Sequence, residues 1–257
     1  MKSISQPDIA RRVDDLTSHF STYLDIFRRE NRFTDAQLQS HLRTTALRRQ
    51  FGNVRDAIGS EEFLGTLRQT LESWGMNSRA ARLADATSFA EAVRKQQQDI
   101  ASLEDERLDG CSADVMVLTN RLWAIIDALG ITRTQSRLVA GTKALHHLLP
   151  ELVPPMDRAY TVVFLGWTPE GLQGREVQFF RKAFPLFANI ARAIRPQQYV
   201  DVEWNSSMTK VIDNAIVGYC KHHILDEGSG RKLISELKKQ GSYRAVLEKA
   251  RENPRSD

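Results

Sequence analysis

Apolar residues recur every three or four positions along almost the whole chain, the spacing that puts them on one face of an α-helix. Ile9, Val13, Leu16, Phe20 and Phe27 form the first stripe, widened by Tyr23 and Leu24. Thr34 opens a second helix with Gln37 as its capping-box partner. Ser60 caps a third, whose inner face is Phe63, Leu64, Leu67, Leu71 and Trp74. A more polar helix spans Phe89 to Leu103 and runs into the acidic EDERLDG, where Gly110 marks the clearest internal boundary. The segment 114–129 is the most apolar, with Val115, Leu118, Leu122, Ile125 and Leu129 on one face and Gly130 as its C-cap. It is expected to be the most buried helix. Thr132 with Gln135 begins the next, which carries Leu138 through Leu149 and stops at Pro150. Asp157 begins a helix to Leu165, and further helices are expected at 169–183, 185–194, 207–223, 229–240 and 242–252. Only VVFL and YVDVEW hint at strands, and both are short. The expected fold is all-α: a multi-helix bundle of two helical subdomains, 1–110 and 111–225, with basic helices at 226–257 packing back on the body.

Composition narrows the class without naming a chemistry. The 257 residues can bury a substantial core, and 41% hydrophobic with 26% charged residues is ordinary for a globular chain. No apolar run approaches the roughly 18 residues a membrane span needs, so no membrane partner is expected. The opening MKSISQPDIARRVDD has no apolar stretch behind its basic residues, which argues against a secretory signal. Cys111 and Cys220 stand far apart without metal spacing, so no disulfide framework is expected and a reducing cytoplasm is. The chain is expected to act as a monomer. The net charge of +4 is modest, but from Ser229 to Asp257 eight Lys and Arg stand against four acids. Such a tail, Arg231 and Lys232 at its start, suits phosphate contact, and equally a solvated amphipathic helix.

Most candidate sites dissolve on inspection. The adjacent pairs His146-His147 and His222-His223 point about 100° apart on a helix and cannot chelate one ion, so no metal or cofactor is expected. Asp201 and Glu203 could form a hydrolytic carboxylate pair, but a polar loop explains them equally. Gly228-Ser229-Gly230-Arg231 lacks the Lys-Ser/Thr ending of a phosphate loop.

One stretch remains, ITRTQSRLVAGTKALHHLLPELVPPMDRAYT at 131–161. Gly141-Thr142-Lys143 opens an apolar half-helix, and a Pro-rich turn then delivers Pro155-Met156-Asp157. This order resembles the helix-hairpin-helix DNA glycosylases, in which a hairpin ending in Gly-x-Lys leads to a helix and then to a turn carrying Val-Pro-x-Asp. The hairpin is degenerate, with one glycine where the family usually has two. The resemblance implies that Asp157 is the catalytic carboxylate, stabilising the cationic sugar and orienting water, and that Lys143 is the amine of strand-cleaving members or a phosphate contact. Gly141 and Thr142 would join Lys143, Arg231 and Lys232 in holding DNA. A flipped base needs an aromatic or Arg wall, for which Trp74, Arg79, Tyr160 and Arg158 are the candidates, with Trp167 and Trp204 behind them. The expectation is a monofunctional glycosylase acting on damaged or modified bases, in repair or in defence against modified phage DNA. The rivals are a non-catalytic helical DNA-binding module and a helical interaction domain, in which Asp157 merely caps its helix.

Overall fold

Capping side chains start five of the described helices. In the computed structural model, which describes residues 6–31, 33–77, 82–110, 114–134 and 136–224, the helices are α1 (Gln6–Ser18), α2 (Phe20–Glu30), α3 (Asp35–Gln50), α4 (Val54–Gly59), α5 (Glu61–Ser73), α6 (Ala86–Lys95), α7 (Gln97–Ala101), α8 (Val115–Ala128), α9 (Leu138–Leu148), α10 (Thr161–Phe164), α11 (Glu176–Ile194) and α12 (Met208–His223). Thr34 and Gln37 close the expected capping box on α3, and Asn53, Ser60, Asp85 and Asp114 each accept an N–H in the first turn of α4, α5, α6 and α8. Among the described residues there is no strand, only an isolated antiparallel bridge between Leu83 and Thr132. The fold is all-α, and no described helix is long and apolar enough to cross a membrane. The helices expected beyond 225, with Arg231 and Lys232, lie outside the described residues.

The chain divides into two compact units that interleave in sequence. The minor unit takes Met1–Asn31, Asp157–Gln173 and Asn214–Asp257, and the major unit takes Arg32–Met156 and Gly174–Asp213. In the minor unit α2 and α12 approach backbone to backbone. A Cβ on Gly218 would fall 1.9 Å from the Tyr23 carbonyl oxygen, so only glycine fits there. Arg12 of α1 donates to the carbonyls of Val163 (2.9 Å) and Phe164 (2.8 Å), satisfying the open end of α10.

In the major unit α9 is the axis. It packs against α3, α5, α8 and α11, and its residues are buried apart from Lys143, which is half-buried. This corrects the expectation for 114–129. α8 buries Leu118, Leu122, Ile125 and Ile126 but leaves Met116 and Val117 exposed. Apolarity measures what a helix can bury, whereas burial depends on how many neighbours surround it; α9 is packed on every side.

Three local expectations also shift. Thr132 does not cap α9: its hydroxyl bonds the carbonyls of Thr134 and Ser136. The helix starts at Leu138, where the Glu176 carboxylate accepts the N–H groups of Arg137 (2.7 Å) and Leu138 (3.0 Å). A cap from across the fold has no local signature. The helices expected at 169–183 and 185–194 become one, α11, with Pro185 inside it and only a 3-10 turn at Glu170–Leu172 before it. An internal proline costs about 3 kcal/mol, but the helix buries Phe179, Phe180, Phe184 and Phe187 on one face, which outweighs it. The helix expected from Asp157 is only α10, one turn long, after a turn at 158–160.

Candidate functional site

The residues that carry the sequence resemblance fall into the two units. Gly141 and Thr142 lie inside α9 and are buried. No hairpin forms at 138–142, because the backbone is already helical; the bare Cα of Gly141 meets Ile126, where a Cβ would come within 2.8 Å of its Cγ2. The glycine serves helix packing there. Thr142 donates to the Leu138 carbonyl (2.8 Å) and accepts from the Met156 N–H (3.2 Å), which ties the Pro-rich turn to α9. Neither residue has a surface to offer a phosphate.

Asp157 is half-buried in the minor unit. Its Oδ1 accepts the N–H groups of Tyr160 (2.6 Å) and Thr161 (3.3 Å), while its own N–H donates to the Thr161 hydroxyl (3.2 Å). This reciprocal pairing is a capping arrangement, and it fixes the carboxylate. Tyr160 and Arg158 beside it are half-buried, and the Tyr160 carbonyl accepts from the Cys220 thiol. Arg79 lies outside the described residues.

Trp74 and Lys143 belong to a different constellation, inside the major unit. Lys143 donates to the Trp74 carbonyl (3.2 Å), and its ammonium stands 5.6 Å from the Trp74 ring centre. Behind them lie His41 of α3 and His146 and His147 of α9, each at most 3% exposed. The His147 Nδ1 is 2.8 Å from the Lys143 carbonyl, which can only accept, so this nitrogen carries the proton. Its Nε2 therefore accepts from His41 Nδ1 at 3.1 Å, and His41 Nε2 accepts from the Ser206 hydroxyl at 2.6 Å. One carbonyl thus sets the tautomers of two imidazoles and the direction of a hydroxyl. His146 Nδ1 is satisfied by the Val153 carbonyl (3.1 Å) and Thr209 (3.0 Å).

These three histidines are neutral. Burial pushes His41 and His146 well below the ordinary imidazole range, helped at His41 by His147, His146, Lys210 and Arg49 and at His146 by His147 and Lys210. His147 falls to about 4, mainly through burial, against the opposing bond to Lys143. No group of described residues has the geometry of a metal site.

The floor of the constellation is an ion pair. Lys210, 2% exposed, reaches Asp213 at 2.6 Å, one turn along α12. Three half-buried rings surround its ammonium: Trp74 at 5.3 Å, Phe33 at 5.6 Å and Trp204 at 5.8 Å. The His41 ring lies nearly parallel to Trp204, at 7° and 6.2 Å, and to His146, at 12° and 6.0 Å. Flat rings, neutral imidazoles and a desolvated cation are the materials from which a recognition site for a planar polar ligand is made.

Sequence reasoning found Trp74, Lys143 and Trp204 but missed His41, Ser206, Lys210, Asp213 and Phe33. Lys210 and Asp213 are three apart and look like a surface pair of a solvated helix. No signal in the sequence marked them as buried, because Thr209, Lys210, Asp213 and Asn214 share one face of the helix, as on a solvated side. Elsewhere, Asp201 serves its loop, accepting the N–H groups of Glu203 and Asn205. No family model, no curated protein and no solved structure matches this chain.

Proposed function

We propose that this chain is a DNA glycosylase, hydrolysing the N-glycosidic bond of a flipped damaged or modified base in repair or in defence against modified phage DNA. The observation that carries the reading is the buried constellation of the major unit. A lysine, an aspartate and three histidines in the interior cost several kcal/mol of desolvation relative to a hydrophobic filling of the same volume. A fold that bears this cost beside half-buried Trp74, Trp204 and Phe33 is suited to holding a heterocycle by stacking and by hydrogen bonds. In the proposed reaction the C–N bond breaks, its electron pair leaves with the base nitrogen, and the water oxygen bonds to the sugar carbon. One water proton ends on the departing base. Asp157 offsets the positive charge that develops on the sugar, and its two backbone N–H bonds hold it oriented for that task without reorganisation. Lys143, engaged with Trp74, serves the ligand side rather than acting as a nucleophile. Arg231 and Lys232 are the proposed phosphate contacts.

Asp157→Asn tests this. The amide still caps α10 but carries no charge, so base excision from damaged or phage-modified DNA, revealed as alkali-sensitive sites, should fall a hundredfold or more, about 3 kcal/mol, with DNA affinity nearly unchanged. Borohydride should trap no covalent adduct. Undiminished excision by the variant would remove Asp157 from the chemistry.

A second reading has its own support. The capping bonds of Asp157 occupy the carboxylate as they would in a non-catalytic helical DNA-binding module. That module would bind the same DNAs, with an affinity that falls steeply with salt, and release no base.

A further inference from the structure

The Lys210–Asp213 pair carries more information than a structural ion pair needs. An ammonium has three N–H donors. One goes to Asp213 at 2.6 Å, and around the others the structure places the faces of Trp74, Phe33 and Trp204, 5.3 to 5.8 Å from the nitrogen. A ring face attracts a cation but is a weak acceptor, so this buried group keeps donor capacity that a ligand oxygen would satisfy better. Beside it stands a carboxylate, 6% exposed, which can only accept. A donor and an acceptor one hydrogen bond apart, roofed by rings, match a planar edge presenting C=O next to N–H. The three nearby imidazoles, held neutral by burial, add no competing positive charge.

We propose that Lys210 and Asp213 read the lactam edge of an oxo base, the carbonyl oxygen accepting from Lys210 and the adjoining ring N–H donating to Asp213, with Trp74, Trp204 and Phe33 stacking on its faces. Uracil, thymine, guanine-like and hypoxanthine-like bases present this edge. Adenine and cytosine reverse it, placing an amino donor against the ammonium and a bare ring nitrogen against the carboxylate, and both contacts become repulsive. The pairing also suits departure, because a lactam base leaving with the bond electrons spreads negative charge onto the oxygen that Lys210 faces.

This inference rests on the base-excision reading for its biological setting, yet its test does not require cleavage. The nucleosides uridine, inosine, cytidine and adenosine, in which the sugar blocks N1 or N9 and leaves only the edge in question, are titrated against the full chain and against Asp157→Asn, with tryptophan fluorescence and calorimetry as readouts. Both proteins should bind uridine and inosine at least about tenfold more tightly than cytidine and adenosine, since a site built to pair a polar edge rejects its mismatch strongly. Lys210→Met should abolish the preference. Trp204→Leu, which leaves the ion pair in place, should weaken all four nucleosides together, and it keeps the proposal testable if the Lys210 variant does not fold. Equal affinity for the four nucleosides, or no binding of any, overturns the lactam assignment. Excision without lactam preference would leave the glycosylase reading standing and remove this one. Lactam binding without excision would do the reverse.

Discussion

Each unit contains a cluster of histidines, and the two clusters are built on opposite principles. In the minor unit Asp15 organises the group: His19 Nδ1 lies 2.8 Å from one carboxylate oxygen, the Tyr23 hydroxyl donates to the other at 2.9 Å, and His223 Nε2 is 3.2 Å from it. Apart from the buried Tyr23, these side chains stay wet, His19 at 61% exposure and His223 at 38%. In the major unit His41, His146 and His147 have no carboxylate partner among the described residues; their bonds run to two backbone carbonyls, to hydroxyls and to one another. The carboxylate there belongs to Lys210. The wet cluster manages charge by pairing and solvation, so its parts can be lost singly at little cost. The dry one manages it by keeping imidazoles neutral and by one ion pair, so any uncompensated charge is expensive.

The largest consequence concerns that ion pair. Lys210→Met leaves the Asp213 carboxylate buried among rings without its cation, which should cost about 3–5 kcal/mol. Lys210→Met combined with Asp213→Leu removes both charges and should recover most of the loss. Urea unfolding of the two variants measures this directly. If the single variant costs less than about 1 kcal/mol, the pair is solvated and the contrast between the clusters collapses.

Acid should come next. A histidine whose folded pKa is depressed contributes stability that is complete above its unfolded value, near 6.5, and is lost as pH falls towards the folded value. For His147 that window runs from 6.5 to about 4. At 1.36 kcal/mol per pH unit the full loss is on the order of 3 kcal/mol, with His41 and His146 adding in the same direction. Glu151, whose carboxyl is raised by burial, opposes the trend only lower down, in the carboxylate range. Melting temperature should therefore fall steadily between pH 7 and 5.5. A flat profile, or imidazole NMR signals of these three titrating near 6.5, would show that the dry cluster is open to water.

Much of the fold was legible because helices announce themselves locally. The Thr34 capping box, the Ser60 cap and the buried face of α5 are properties of neighbouring residues, and all three hold. What stayed hidden was set by distance. Glu176 caps α9 from 38 residues away, and Ser206 fixes on His41 from 165 away. The polar floor of the candidate site was hidden for the same reason. Lys210 and Asp213 have the spacing of an ordinary exposed pair, and only the convergence of Phe33, Trp74 and Trp204, from three distant segments, shows that they are dry. Spacing argues against His146 and His147 as a chelating pair, but it could not reveal that a third histidine, His41, meets them in the core.

The smallest expected effect sharpens the contrast from the wet side. Asp15→Asn keeps an oxygen to accept from the Tyr23 hydroxyl and removes only a partly solvated charge. Exposed pairs of this kind contribute about 1 kcal/mol or less, so stability at neutral pH should change by no more than that. The informative readout is the titration of His223. Burial, first, and then His222 lower its pKa, while Asp15 raises it. Removing the carboxylate withdraws the one opposing influence, so the NMR midpoint of His223 should move further down, and its salt sensitivity should shrink because the screened partner is gone. The hydroxyl of Tyr23 should stay protonated throughout, since burial already holds its pKa far above the ordinary phenol range before Asp15 adds to the shift. A midpoint that rises, or a loss of several kcal/mol, would mean that Asp15 is buried in the manner of Asp213. The minor unit would then share the major unit's way of holding charge.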